Sequence, residues 1–367
     1  VTWGRGASRW LRPLWRLVRF LSSLRGFLLL CALALLAALA LDLANRPVVA
    51  QLRGEAHPVS GSPTALSPAD KAYLRRLVGN ARVVGLGEGS HGTKEIFEYK
   101  ASIIRFLVEE MGFSVLGMEA PDDPVANGIV QAGLPDAGEL AARNMFPGTR
   151  ELAGLLGWMA RYRQQHPDRP LDLFGFDAAF DQPSWIPRFI ILDDGTRDRL
   201  MAETIITVLE KEYPGRKAVL WAHNGHVAFP ERAIYPLRGS PMGWYLRQRY
   251  GGGYFALATT FYSGRVLAMW PQLPGVGQER VAMPIFPTLP GTADSAFHRA
   301  FGGDFLLDLR AVRPDSPLGR WLRRPQLIKA IGSSYVPLLL GSSPATLPDY
   351  FDALLFVDKT TAAEPLR

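Results

Sequence analysis

The feature that most constrains this chain is a set of four short apolar segments, each ending on an ionisable side chain. Arg82–Gly87 runs into Glu88 and His91, Phe113–Glu119 ends on Glu119, Leu171–Asp177 ends on Asp177, and Lys217–His223 ends on His223 with His226 following. Runs of this length without polar alternation read as strands buried on both faces. Thr93–Met111 lies between the first two, with apolar residues at 96, 99, 103, 104, 107, 108 and 111, the spacing of one helix face. Residues 124–165 read as helical with breaks at Pro135 and Pro147, and Arg197–Tyr213 and Met242–Tyr250 read as further helices. Tyr254–Tyr262 with Val266–Trp270 reads as a hairpin, and Phe305–Leu309 and Ala353–Asp358 as late strands.

Alternating strands and helices predict an α/β fold. The expected fold is a mainly parallel sheet flanked by helices, with helical insertions over the strand carboxyl ends. In such sheets ligands bind beyond those ends. The ionisable residues that close the strands are therefore expected along one rim.

Glycine, glutamate and histidine are concentrated in Gly85–Gly92 (GLGEGSHG). Small residues let the backbone turn sharply from a strand into a helix. Glu88 and His91 sit inside that turn, where a carboxylate would hold the imidazole in one tautomer and make it a better base. Gly87, Gly89 and Gly92 also satisfy the G-x-G-x-x-G dinucleotide fingerprint. A negative Glu88 beside a pyrophosphate argues against that reading, and Glu119 at the end of the next strand keeps it open.

His223-Asn224-Gly225-His226 places two of the chain's six histidines at one strand end. Such a pair suits hydrogen bonding to a developing oxyanion or protonation of a leaving group. His91, His223, His226, Glu88 and Glu119 are also metal-ligand types, although no H-E-x-x-H helix occurs. The favoured reading is histidine-activated water, with no cofactor and no metal. A metal-dependent hydrolase or peptidase, or a nucleotide-binding envelope module, are the alternatives. Glu119 is expected to face the cleft. Asp177 is either a substrate contact or a loop cap. Lys100, on the apolar side of the first helix, is either a substrate or Glu88 contact or a core-edge lysine. Catalytic roles are assigned to His91, Glu88, Glu119, His223 and His226, and substrate contacts to Lys100 and Asp177.

The formal charge of +7 is unevenly placed. Residues 1–46 carry seven arginines, no lysine and one acid, Asp42, so the remainder is nearly neutral. Gly26–Leu41 is uncharged and apolar, with six arginines before it, interleaved with Trp3, Trp10 and Trp15. This pattern reads as a basic cytoplasmic tail (1–25) and a transmembrane signal-anchor (26–44), with the catalytic body outside the cell membrane. A leader cleaved near Ala38-Leu39-Ala40 is the rival. Residues 45–66 read as a linker and 67–367 as the catalytic domain. The single cysteine, Cys31, excludes a disulfide framework. No basic, aromatic-interleaved patch in the body suggests nucleic acid. A small-molecule ester or lactone is the expected partner, with no obligate protein partner.

These stretches resemble the erythromycin esterase family. The resemblance rests on Gly85–Gly92, Thr93–Glu119, Phe174–Asp177, Trp221–Val227, Met242–Arg249 and Phe351–Pro365, in order from about residue 67 to the end. It implies ester or macrolactone hydrolysis without a required metal. By position, His91 would activate water, Glu88 would orient it, and Glu119, His223 and His226 would complete the cleft. The chain departs from the family in having Lys100 where Arg is usual, and in a shorter stretch between Asp177 and His223.

Overall fold

The computed structural model describes residues 23–122, 124–133, 136–144, 148–177, 194–232, 239–270, 279–337 and 341–366. In chain order the strands are β1 (His57–Pro58), β2 (Val83–Leu86), β3 (Phe113–Met118), β4 (Asp172–Gly175), β5 (Lys217–Trp221), β6 (Tyr254–Met269), β7 (Arg280–Ile285), β8 (Phe305–Asp308), β9 (Gln326–Lys329), β10 (Ser342–Ala345) and β11 (Ala353–Thr360). The main sheet runs β1-β8-β11-β6-β2-β5-β3-β4, with β7 beside β6, while β9 and β10 form a separate pair. The ladders from β11 through β6, β2, β5 and β3 to β4 are parallel. Those of β1 with β8, β8 with β11, and β6 with β7 are antiparallel.

The apolar strand segments are buried from both sides, as the sequence implies. Val84, Leu86, Leu116, Met118, Val219 and Trp221 face one core with Ile96, Ile103 and Leu107 of helix Lys94–Met111. Their neighbours Val83, Val115, Ala218 and Leu220 face a second core with Met201, Ile205 and Leu209 of helix Asp194–Lys211. Alternate residues of one strand thus serve different helix layers, which leaves little room for polar side chains between strand start and strand end.

Register fixes the rim. Leu86 pairs with Trp221, Trp221 with Met118, and Met118 with Gly175, so four strands end at one level. Glu88, His223, Glu119 and Asp177 are each one or two residues beyond that row.

Two expectations are corrected. The hairpin within 254–270 is instead one strand, β6, whose second half pairs with β7. Gly264 has φ of 133°, and a side chain there would run into Thr360, so the glycine lets β6 continue against β11. The expected linker 45–66 is folded. Arg46–Glu55 is a helix with Val48, Val49 and Leu52 buried, and His57–Pro58 pairs with β8. Asp70 closes the rest of this stretch by accepting from the amides of Ser60, Gly61 and Ser67. Those bonds are formed over a Pro, Gly and Ser-rich stretch that carries no periodic signal.

Leu24–Ala44 is a 21-residue helix with Leu28, Leu33, Leu35 and Leu36 exposed. Among the described residues no single helix is long and apolar enough to cross a membrane. Cys31–Ala44 and Arg46–Glu55, bent by 44°, pass that test of length and composition only together. The single span expected over 26–44 is thus not seen as such, and nearly all of the basic tail lies outside the described residues.

Candidate active site

The turn from β2 into helix Lys94–Met111 carries Glu88 and His91. Its backbone is committed to the protein. The amide of Gly87 donates to Leu257 O, that of Gly89 to Thr259 Oγ1, that of His91 to Ile331 O and that of Gly92 to Ser90 Oγ. Side chains at Gly87 and Gly92 would meet Asn224 and the Leu267 carbonyl. The glycines therefore admit neighbouring protein, and these amides are not free to cradle a pyrophosphate. This removes the structural basis of the dinucleotide reading.

Glu88 is 1% exposed and binds two partners. His91 Nδ1 lies 2.7 Å from Oε1, and Lys100 Nζ lies 2.6 Å from Oε2. With Glu88 ionised, His91 Nδ1–H donates, so Nε2 is the nitrogen that accepts a proton. The His91 side chain is 16% exposed, so its ring reaches solvent. Lys100 is 1% exposed, also donates to Ala222 O, and sits 4.1 Å from the Trp221 ring centre. Burial lowers its pKa to about 8, against the opposing pull of Glu88. Of the readings open for Lys100, contact with substrate, contact with Glu88 or a core-edge lysine, the geometry is that of the Glu88 contact: a buried prop, because helix spacing turns it toward the sheet.

On the other side of the cleft, Glu119 accepts from the His223 amide at 2.7 Å and lies 3.2 Å from both His226 Nε2 and Arg197 Nη2. Burial opposes its charge, but His226, His91 and Arg197 outweigh that and hold the carboxyl well below its usual range. Asp177, the other expected substrate contact, is fully buried and gripped by Arg197 Nε and Nη2 at 3.1 and 2.6 Å. Its carboxylate is occupied by that guanidinium rather than offered to a ligand.

His226 is held between Asp198, 2.7 Å from Nδ1, and Glu119. Burial lowers its pKa, but the two carboxylates prevail and raise it to about 10. The two carboxylates thus favour the charged form of the ring. Arg197 Nη1 lies 3.3 Å from Nε2, while its Nε and Nη2 bind Asp177 and Glu119.

His223 behaves oppositely. Burial, with His91 beside it, pushes its pKa well below 6.5, so the ring is neutral. Nδ1 accepts from the Gly225 amide at 3.1 Å, which puts the proton on Nε2. Among the described residues that buried Nε2 has no hydrogen-bond partner. The His91 and His223 ring centres are 5.0 Å apart. Asn224 fixes the turn between the two histidines. Its Nδ2 donates to Thr259 O at 2.6 Å, and its Oδ1 accepts from Thr259 N at 3.0 Å.

The structure thus gathers all seven expected residues, with Lys100 beneath Glu88 and Asp177 behind Arg197. It adds Arg197 and Asp198, which the sequence reading left as ordinary helix residues. Asp194–Lys211 buries Met201, Ile205 and Leu209, and Asp198 precedes that face by one turn, but no motif distinguishes these two. Among the described residues no group of three or more His, Cys, Asp or Glu side chains is arranged to hold a metal ion.

Comparison with known proteins bears out the resemblance drawn from the motifs. Residues 190–360 match the sequence model of the family described as erythromycin esterase. That stretch includes Arg197, Asp198, His223 and His226, while Glu88, His91 and Glu119 precede it. The chain is 30% identical over 125 residues to erythromycin esterase type II of Escherichia coli, covering 33% of this chain and 29% of that enzyme's length. In fold it is similar to a Bacillus cereus protein of known structure, with a TM-score of 0.74, 20% identity, and coverage of 88% of this chain and 99% of the other. It is also similar to an erythromycin esterase mutant in its open conformation, with a TM-score of 0.62, 19% identity, and coverage of 85% and 98%.

Proposed function

From its similarity to the erythromycin esterase family, we propose that this chain is a hydrolase that cleaves a carboxylic ester or lactone with water activated by His91. The observation that carries the reading is the Glu88–His91 pair, 2.7 Å apart, with His91 partly exposed and the buried Glu88 held from below by Lys100. His91 Nε2 takes a proton from water as the oxygen attacks the carbonyl carbon. The oxyanion accepts a hydrogen bond from His223 Nε2–H, the unpaired donor 5.0 Å away measured ring to ring. His91 returns the proton to the departing alkoxide, giving acid and alcohol. Glu88 keeps the imidazole in the tautomer that this cycle requires.

We further propose that the apolar segment 26–44, together with the helix bent off it, holds the chain at the cell membrane, with the body on the extracytoplasmic side. The exposed leucines of that segment and the arginines before it support this.

The test is a panel of neutral esters and lactones, with wild type and His91→Ala compared on any substrate found, before and after chelation. Turnover is expected to fall by about 10²–10⁴ in the variant with the melting temperature unchanged. Undiminished turnover by His91→Ala would sink the mechanism. Loss on chelation, restored by a metal, would favour the metal-dependent alternative.

A further inference from the structure

Asp198 lies in the first turns of helix Asp194–Lys211 and is fully buried. Its Oδ1 is 2.7 Å from His226 Nδ1, and its Oδ2 accepts from the amide of Met242 at 2.8 Å. Met242 opens helix Met242–Tyr250, the MGWYLRQR segment. The next residue, Gly243, packs where any side chain would strike the carbonyls of Val227 and Ala228. One carboxylate therefore ties three elements together: helix Asp194–Lys211, the start of helix Met242–Tyr250, and the turn that carries His223 and His226.

The groups facing His226 allow two hydrogen-bond patterns. Asp198 faces Nδ1. Glu119 Oε1 and Arg197 Nη1 both face Nε2, at 3.2 and 3.3 Å, and the His223 ring centre is 6.5 Å away. If Nε2 carries a proton, it donates to Glu119, and Arg197 is left to Asp177 and Glu119. If Nε2 is bare, it accepts from Arg197, and Glu119 loses a partner. Arginine only donates, so the protonation of His226 decides between the patterns.

We propose that Asp198 is a positioning residue that selects the first pattern. By gripping Nδ1 of His226 while anchored on the Met242 amide, it holds the ring with both nitrogens protonated and Nε2–H directed at Glu119. Glu119 then stays ionised and keeps its bond to the His223 amide, which sets where the His223 ring points. Asp198 touches no substrate. It acts through His226 and Glu119 on the geometry of the donor across the cleft.

The protonation arm of this proposal needs no substrate, while its kinetic arm rests on the hydrolytic reading. Failure of the two can therefore be told apart. The full chain, labelled with 15N-histidine, is followed by NMR from about pH 6 to 9 as wild type, Asp198→Asn and Asp198→Glu. The His226 signals are identified by their loss in His226→Gln. Both ring nitrogens are expected to stay protonated in wild type and in Asp198→Glu. In Asp198→Asn the ring should become neutral within that range. On a substrate found in the ester panel, kcat of Asp198→Asn should fall about tenfold or more, and increasingly as pH rises through the same titration. KM should change less. A carboxylate that merely braced the helix would lower activity evenly with pH. A neutral His226 in wild type at pH 7, or a doubly protonated His226 in Asp198→Asn, would overturn the proposal. Should Asp198→Asn fail to fold, the wild-type and Asp198→Glu spectra still decide it, because either showing a neutral ring contradicts it.

Discussion

Lys100 Nζ lies 2.6 Å from Glu88 Oε2, with the two side chains 1% and 2% exposed. A buried pair of this kind adds little over an apolar pair of the same volume, but removing one partner strands the other. Lys100→Met should therefore destabilise the chain by about 3–5 kcal/mol, measured as urea unfolding free energy. Glu88 loses the bond that fixes it beneath His91 at the same time, so ester turnover should fall with stability. A variant as stable as wild type would mean that Lys100 does not hold Glu88.

His223→Phe separates the proposed oxyanion donor from the general base. The ring shape is nearly kept, and the missing Nε2–H has no partner to strand among the described residues. The kcat is expected to drop by about 10²–10³ with KM little changed, the signature of an interaction made in the transition state. Stability should fall by only about 1 kcal/mol, from the lost Gly225 amide bond. Equal damage to KM would assign the ring to ground-state binding.

Asn224→Ala should behave in the reverse order. It removes both bonds to Thr259 and leaves a buried amide and carbonyl of β6 unpaired. The expected cost is about 2–4 kcal/mol in unfolding free energy. Turnover should also fall, since the turn that presents His223 and His226 loses its tie to the sheet. An unfolding midpoint close to wild type would show that water replaces the carboxamide.

The raised pKa of His226 makes stability depend on pH in a defined direction. Its folded value of about 10 exceeds the ordinary 6.5, so its contribution is complete below pH 6.5 and is lost as pH rises toward 10. One proton gives a slope of about 1.4 kcal/mol per pH unit. Lys100 acts oppositely: its folded value of about 8 is below 10.5, so its contribution grows with pH between those values. Unfolding free energies of wild type minus His226→Gln, taken from pH 6 to 9.5, cancel the lysine. The difference should shrink as pH rises. A flat difference would mean that His226 is neutral throughout.

Much of the rim was legible before any coordinates. An apolar run that ends on Glu119 or His223 marks where a strand leaves the core, and parallel strands in register bring such ends together. Glu88 and His91 were legible because they share one turn, so their proximity is local. The histidines of 223–226 were legible for the same reason. Lys100 was half legible: helix spacing put it on the inner face, but whether it met substrate or Glu88 depended on how deep that face lay.

Arg197 and Asp198 were not legible. Each is one of several charged residues on a helix that also buries Met201, Ile205 and Leu209, and each matters only because that helix begins beside Asp177 and His226. The fold of 46–58 was missed too, since Val48, Val49 and Leu52 have no periodic run around them and gain their burial from distant helices. The sequence alone determined the layered α/β class and the list of residues at the strand ends, because both follow from local apolar pattern and short spacing. Tertiary structure alone decided which histidine is charged and which neutral. That choice depends on the charges of residues far along the chain: Asp198 and Glu119 close on His226, whereas His223 has burial and a neighbouring imidazole.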